Sequence, residues 1–265
     1  MYDFAYHRPK TVADAVTLLK SKPEARPMSG GMTLIPTLKQ RLAKPSDVVD
    51  LGGLKELAGI KAEGNTVVIG AITRHAEVAG SADVKRAIPA LAELADHIGD
   101  PQVRNRGTIG GSIANNDPAA DYPAAVVGLN ATVTTNTGKH PADSFFKGLF
   151  ETALGEGEII TSVSFPKADK AAYMKFPNPA SRYAMVGVFV AKTGNNVRVA
   201  VTGAGPCVFR VKAMEDALAR NFSSDAIKDI KIPADGLNSD IHGSAEYRAH
   251  LVNVMARRAV DAANK

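Results

Sequence analysis

The chain is nearly without cysteine: among its 265 residues only Cys207 carries a thiol. One thiol closes no internal disulfide, and no Cys-x-x-Cys pair offers a metal or redox motif. Thiolates for an iron–sulfur cluster are missing too, so Cys207 reads as a small buried residue. Apolar runs are short, and none reaches the ~20 residues of a membrane-spanning helix. The opening Met1-Tyr2-Asp3-Phe4 is followed by His7, Arg8 and Lys10 and lacks the form of a secretory leader. These features lead us to expect a reducing, cytoplasmic setting, with peripheral membrane association left open. The net charge of +5 comes from scattered residues. No Lys/Arg run marks a nucleic-acid face, so the basic excess reads as solubility plus attraction to phosphate-bearing ligands.

Common catalytic motifs are missing as well. The chain has no G-x-x-x-x-G-K-[ST] loop, no G-x-G-x-x-G, no H-E-x-x-H and no G-x-S-x-G. Its six histidines are scattered, and each reads as a surface or structural group.

Two glycine pairs stand out. Met28-Ser29-Gly30-Gly31-Met32-Thr33-Leu34 is one, and Arg104-Asn105-Arg106-Gly107-Thr108-Ile109-Gly110-Gly111-Ser112 is the other. Glycine permits positive φ and close backbone approach, and successive main-chain N–H groups in such a loop form an anion cradle. Either pair alone is as well explained by a tight turn. Together, with the first between a strand and a helix, they point to the two phosphates of a dinucleotide. Thr33, Thr108 and Ser112 add hydroxyl donors. Arg104 and Arg106 either stand as exposed solubilising charges, or one of them orders the second loop or neutralises charge near the site. Asp121 reads as a helix cap before Tyr122 or as an acceptor for a ribose hydroxyl. Tyr183 reads as a core or edge aromatic, or as a ring that stacks on a flat cofactor.

The flanking pattern predicts mixed α and β structure. Helices are expected over Val12–Lys20 (capped by Thr11), Thr33–Leu42, Val84–Ile98, Tyr122–Leu129, Val211–Ala219 and Ala245–Ala263. Strands are expected over Ala25–Met28, Val48–Leu51, Thr66–Ala71, Ala131–Thr135 and Glu158–Phe165, with a hairpin of Met185–Thr193 and Val197–Thr202. A domain boundary is placed near Lys167–Ala171.

These residues resemble the medium, FAD-binding subunit of the molybdenum hydroxylases, the family of carbon monoxide, xanthine and nicotine dehydrogenases, and most of all its carbon monoxide dehydrogenase-like members. The resemblance runs over essentially the whole chain. It is carried by Tyr2-Asp3-Phe4-Ala5-Tyr6-His7-Arg8-Pro9, by both glycine signatures and by Asp117-Pro118-Ala119-Ala120-Asp121. It implies an α+β fold: an FAD-binding PCMH (vanillyl-alcohol-oxidase-like) domain over 1–168, with subdomains of about 1–54 and 55–168, then a C-terminal α+β domain over 169–265. It implies that Ser29, Gly30, Gly31, Met32 and Thr33, together with Thr108, Ile109, Gly110, Gly111 and Ser112, bind the FAD pyrophosphate. By the same resemblance Asp121 serves the ribose or adenine side, Ile98 lines the adenosine end, Ile160 makes a further contact, Lys175 lies near the flavin and Tyr183 packs on the isoalloxazine. Ser29 stands where the family commonly has alanine, and Met32 where a small or polar residue is common. No histidine is placed for covalent attachment, so FAD is expected to be non-covalent.

The implied role is electron transfer in a heterotrimer. A large subunit would carry the molybdenum–pterin cofactor and a small one the 2Fe–2S clusters, assembled as a dimer of heterotrimers. No catalytic or metal-ligating residue is assigned to this chain. The competing readings are a self-contained flavin oxidoreductase and a non-redox nucleotide-binding assembly subunit. The complex's substrate (carbon monoxide, an N-heterocycle or an aldehyde) and its electron acceptor stay open.

Overall fold

The computed structural model describes residues 1–265. At the N-terminus a three-stranded sheet has the order Ala5–His7, Asp47–Asp50, Arg26–Met28, with both pairings parallel. Parallel pairing requires crossovers, and the helix Val12–Ser21 supplies one, its first turn capped by the Thr11 hydroxyl accepting from Asp14 N–H. Ala15, Leu19, Ala25, Val49, Leu51, Leu54 and Leu57 close a small core.

The next layer is a five-stranded antiparallel sheet ordered Ile60–Glu63, Thr66–Gly70, Ile160–Pro166, Thr132–Thr135, Lys139–Pro141. Strand side chains alternate between faces. Val67, Ile69, Val133, Val163 and Phe165 are all fully buried, in one core with Leu91, Leu94, Ile109, Ile113, Tyr122 and Val126 of the helices.

The C-terminal sheet is four-stranded and antiparallel, ordered Lys170–Pro177, Ala184–Thr193, Asn196–Thr202, Phe209–Arg210. Its central strand is an unbroken buried run from Ala184 to Ala191 because both faces are covered. Val186, Val188 and Val190 pack with Met214, Leu218, Leu251, Val252 and Met255 of the helices Lys212–Arg220 and Ala245–Ala263. Phe189 and Ala191 pack into the core of the preceding sheet. There a Cβ on Gly128 would come within 2.7 Å of the Phe189 ring. The C-terminal sheet thus lies directly across the helix Tyr122–Gly128.

Four local expectations are corrected. The helix expected over Val84–Ile98 is two helices, Ala82–Ala87 and Pro89–Asp96. Pro89 bars α geometry at Ile88, which sits at φ −146°, and then starts the second helix at its first position. The helix expected from Thr33 to Leu42 spans only Leu34–Lys39. The second glycine signature is not a loop throughout: Ile109–Asn115 is helical, with Thr108 as its cap. Several strands were not expected at all, Lys170–Pro177 and Ile60–Glu63 being the longest of them.

Candidate functional site

The two glycine signatures, far apart in sequence, meet in the structure. The Ser29 and Thr108 hydroxyls are hydrogen-bonded at 2.9 Å. A Cβ on Gly30 would overlap the Arg106 carbonyl oxygen and lie 2.9 Å from Gly107 Cα. Only glycine allows the two backbones to come this close. The glycines then differ in what they do. Gly31 has φ +75°. Gly110 packs its bare Cα face on Ala71, whose carbonyl accepts the Gly110 N–H at 2.8 Å. Gly111 is exposed, and a Cβ there would meet only Thr108 Oγ1 at 3.0 Å and Ser29 Cβ at 3.8 Å.

The main-chain donors are also divided unequally. In the second signature all but the Thr108 N–H are engaged within the protein: Ile109 N–H donates to Thr73 O, Gly110 to Ala71 O, Ser112 to Thr108 O, and Gly111 to the Thr108 hydroxyl at 3.2 Å. In the first loop no main-chain N–H from Ser29 through Thr33 finds an acceptor in the protein. Such a run of free donors next to Gly31 and the Ser29 and Thr33 hydroxyls is a cradle for an oxyanion. Its residues fit a pyrophosphate. Ile109 is fully buried, so its side chain belongs to the core, while Met32 and Thr33 are exposed.

Behind the clasp lies His75, a residue that the sequence did not single out. Its main-chain N–H donates to the Gly107 carbonyl, and a Cβ on Gly107 would sit 2.5 Å from its Nε2. The ring packs at 5.3 Å from that of Tyr122, and its Nδ1 has no partner. Burial, helped by the Arg104 guanidinium, lowers its pKa to about 4. The imidazole is therefore neutral at pH 7. Arg104 orders its loop by donating to the carbonyls of Ile98 and Gly99, both at 3.2 Å. Arg106 is exposed and makes no side-chain hydrogen bond.

A second group forms where the C-terminal sheet meets the helix Tyr122–Gly128. The Asp121 side chain does not cap that helix. Its carboxylate is 4% exposed and accepts from the Tyr173 hydroxyl at 2.6 Å. Lys175 Nζ contacts both its oxygens, at 2.9 and 3.2 Å, and also donates to the His97 carbonyl beside Ile98. Burial raises the Asp121 pKa, against the opposing pull of Lys175 and Tyr173. Tyr173 was missed in the sequence. The available signal was its i, i+2 spacing from Lys175, which puts both side chains on one face of a strand.

The loop from Asp117 to Asp121 is bolted to the same sheet. Ala184 N–H donates to Ala119 O, Gly203 N–H to Pro118 O, and the Thr202 hydroxyl bonds the carbonyls of Pro118 and Ala120 at 3.0 and 2.6 Å. This places Tyr183 beside the loop with 46% of its surface exposed. Partial burial and then the charges of Asp117 and Asp121 raise its hydroxyl pKa. Ile98 is half-buried at the core's edge, and Ile160 is buried in its strand. The site residues expected from sequence therefore lie in two groups, the glycine clasp and the Asp121–Lys175 junction, with Ile160 apart from both in the sheet core. The segment that follows the clasp's helix links them. No helix is long and apolar enough to cross a membrane.

Comparison with known proteins identifies the family. Residues 2–168 match the family described as the FAD binding domain in molybdopterin dehydrogenase. Residues 171–263 match the CO dehydrogenase flavoprotein C-terminal domain. The carbon monoxide dehydrogenase medium chain of Hydrogenophaga pseudoflava is 36% identical, over 98% of this chain and 96% of its own. The glyceraldehyde dehydrogenase medium chain of Sulfolobus acidocaldarius is 35% identical, over 97% of each. A solved structure of reconstituted CO dehydrogenase from Oligotropha carboxidovorans superposes with a TM-score of 0.88 at 35% identity, covering 99% of this chain and 98% of that one. The chain belongs to the FAD-binding medium subunits of the molybdenum hydroxylases, an oxidoreductase family.

Proposed function

We propose that this chain holds FAD non-covalently and transfers electrons within a heterotrimeric molybdenum hydroxylase. The observation that carries the reading is the run of free N–H groups from Ser29 to Thr33, brought against the Thr108 helix by glycine-to-backbone contact. When bound, FAD supplies the capacity to accept and pass on electrons. The protein's part is to bind and orient. The Ser29–Thr33 N–H groups neutralise phosphate oxygens, and the hydroxyls of Ser29, Thr33 and Ser112 lie within the same signatures. Asp121 accepts from a cofactor hydroxyl, Ile98 lines the adenosine end, Ile160 makes a further contact, and Lys175 and Tyr183 serve the flavin end.

In this reading a small subunit with 2Fe–2S clusters delivers the electrons, an external acceptor takes them, and a large molybdenum–pterin subunit oxidises the substrate. The assembly is a cytoplasmic dimer of heterotrimers, and its domains follow the division at 168/169 with a subdomain break near 54/55. Relatives named for carbon monoxide and for glyceraldehyde align with this chain over almost their whole length at similar identity, as expected if the substrate is recognised on another subunit.

The test is purification from the native source. The chain should co-purify with a molybdenum subunit and an iron–sulfur subunit, and acid precipitation should release its FAD into the supernatant. Flavin retained on the denatured chain excludes the non-covalent form. Substrate-dependent dye reduction by this chain alone favours a self-contained flavin oxidoreductase.

A further inference from the structure

Asp121 and the C-terminal sheet are joined more tightly than a domain contact requires. The Tyr173 hydroxyl reaches the Asp121 carboxylate at 2.6 Å in a buried setting. Room for that hydroxyl exists only because residue 187 is glycine: a Cβ on Gly187 would overlap it, and Thr202 Cγ2 closes the same space. The Tyr173 ring packs 6.3 Å from Phe189, within the shared core. A tyrosine fixed in this way presents its O–H in one direction. Lys175, on a flexible four-carbon stem, supplies the charge but cannot alone set the plane of the carboxylate.

A carboxylate offers about four acceptor directions, and Tyr173 and Lys175 take up three contacts on it, one from the hydroxyl and two from Nζ. At least one direction is left for a further donor. We propose that Tyr173 is a positioning residue for the cofactor site, its hydroxyl holding the Asp121 carboxylate so that its free lone pair faces a hydroxyl of the bound dinucleotide. This rests on the reading of the chain as an FAD subunit. It adds that the C-terminal domain sets FAD affinity through an FAD-domain carboxylate, with Tyr173 itself buried behind that group. A hydrogen bond to an ionised acceptor is shorter and stronger than a neutral one, so losing the hydroxyl should be felt as both geometry and charge.

The experiment is a double-mutant cycle on FAD affinity in the holo-complex and in the refilled apo chain. Tyr173→Phe should weaken FAD binding about tenfold, whereas the same change added to Asp121→Asn should weaken it no further. A hydroxyl that serves only the fold would cost equally in both backgrounds, and that result overturns the proposal.

The acid limb of FAD retention gives a second readout. Removing the hydroxyl removes one of the interactions that keep Asp121 ionised, so retention in Tyr173→Phe should fail at a higher pH than in the parent. The other groups facing this carboxylate (Lys175 beside Tyr173, His97 at the end of Pro89–Asp96, Tyr122 on its own helix and Tyr183 with Asp117 nearby) are unchanged in the comparison. An unmoved acid limb with unchanged affinity also overturns the proposal. If the parent protein itself takes up no FAD, the failure lies with the FAD reading and not with Tyr173.

Discussion

The hydroxyls of Ser29 and Thr108 are hydrogen-bonded at 2.9 Å across 79 positions of sequence. This is the only side-chain bond between the two glycine signatures, and it joins residues with unequal duties. Thr108 also caps the helix Ile109–Asn115 by accepting from Gly111 N–H. Ser29 belongs to the loop whose N–H groups are free. Ser29→Ala keeps every N–H group of that loop, so it should leave the melting temperature close to the parent's and change FAD binding little. Thr108→Ala should lower stability and loosen the clasp, since it removes a cap that contributes about 1 kcal/mol as well as the bridge. Thermal denaturation of the apo chain beside an FAD titration separates them, and equal stability loss in the two variants would contradict the assignment.

The glycines of the clasp make opposite predictions. Gly30→Ala forces a methyl into the Arg106 carbonyl. The loops must part, at a cost of about 1–3 kcal/mol, so the variant should melt earlier and lose FAD. Gly111→Val places its bulk at an exposed position of the first helical turn. That variant should fold, with a near-parent far-UV spectrum, and purify without flavin. Full flavin occupancy in Gly111→Val would make that glycine a structural turn and no part of the cofactor site.

Much of this arrangement was visible in the sequence because it rests on local chemistry. Paired glycines, a capping Thr11 and the long amphipathic run Ala245–Ala263 announce themselves within a few residues. What escaped notice depends on distant parts of the chain. The strand Lys170–Pro177 has no β-branched residue, and it is held by pairing with Ala184–Lys192 and by the C-terminal helix. Without that strand, the position of Tyr173 beneath Asp121 could not be foreseen. The division of donors between the two signatures was equally hidden, since Ile109 and Gly110 give their N–H groups to Thr73 and Ala71 of the neighbouring turn. Pro89 was a local signal outweighed by the apolar periodicity that continues past it.

His75 carries a pH prediction. Its folded pKa of about 4 lies below the ordinary 6.5 because the ring is buried, with the Arg104 charge adding to the shift. Between those values the unfolded chain binds a proton that the folded chain refuses. Stability is therefore complete above pH 6.5 and is lost as pH falls toward 4, by up to about 3 kcal/mol at 1.36 kcal/mol per pH unit. His75→Phe keeps a ring against Tyr122 and removes the titration. Denaturant unfolding at pH 7.5 and pH 4.5 should show a smaller acid loss in the variant than in the parent. An identical acid loss would mean that His75 is reached by protons in the folded state.

Tyr183 offers the most direct check on the flavin end. It is 46% exposed although its neighbour Ala184 is buried and tied to Ala119. A large ring held at the edge of a rigid strand and left uncovered is suited to cover a flat partner. Aromatic stacking is worth about 0.5–1.5 kcal/mol beyond the area buried. Tyr183→Phe keeps the ring, so its flavin absorption spectrum should match the parent's. Tyr183→Ala removes the ring, so FAD affinity should fall modestly, up to about tenfold by the same energy, while flavin fluorescence and the rate of reoxidation rise. Its removal should cost little stability, since a side chain this exposed contributes little to the core. The measurements are flavin fluorescence, equilibrium titration and stopped-flow reoxidation on the refilled protein. If Tyr183→Ala leaves all three unchanged, the exposed ring covers something other than the flavin, and the short Asn178–Tyr183 turn has carried it away from the cofactor.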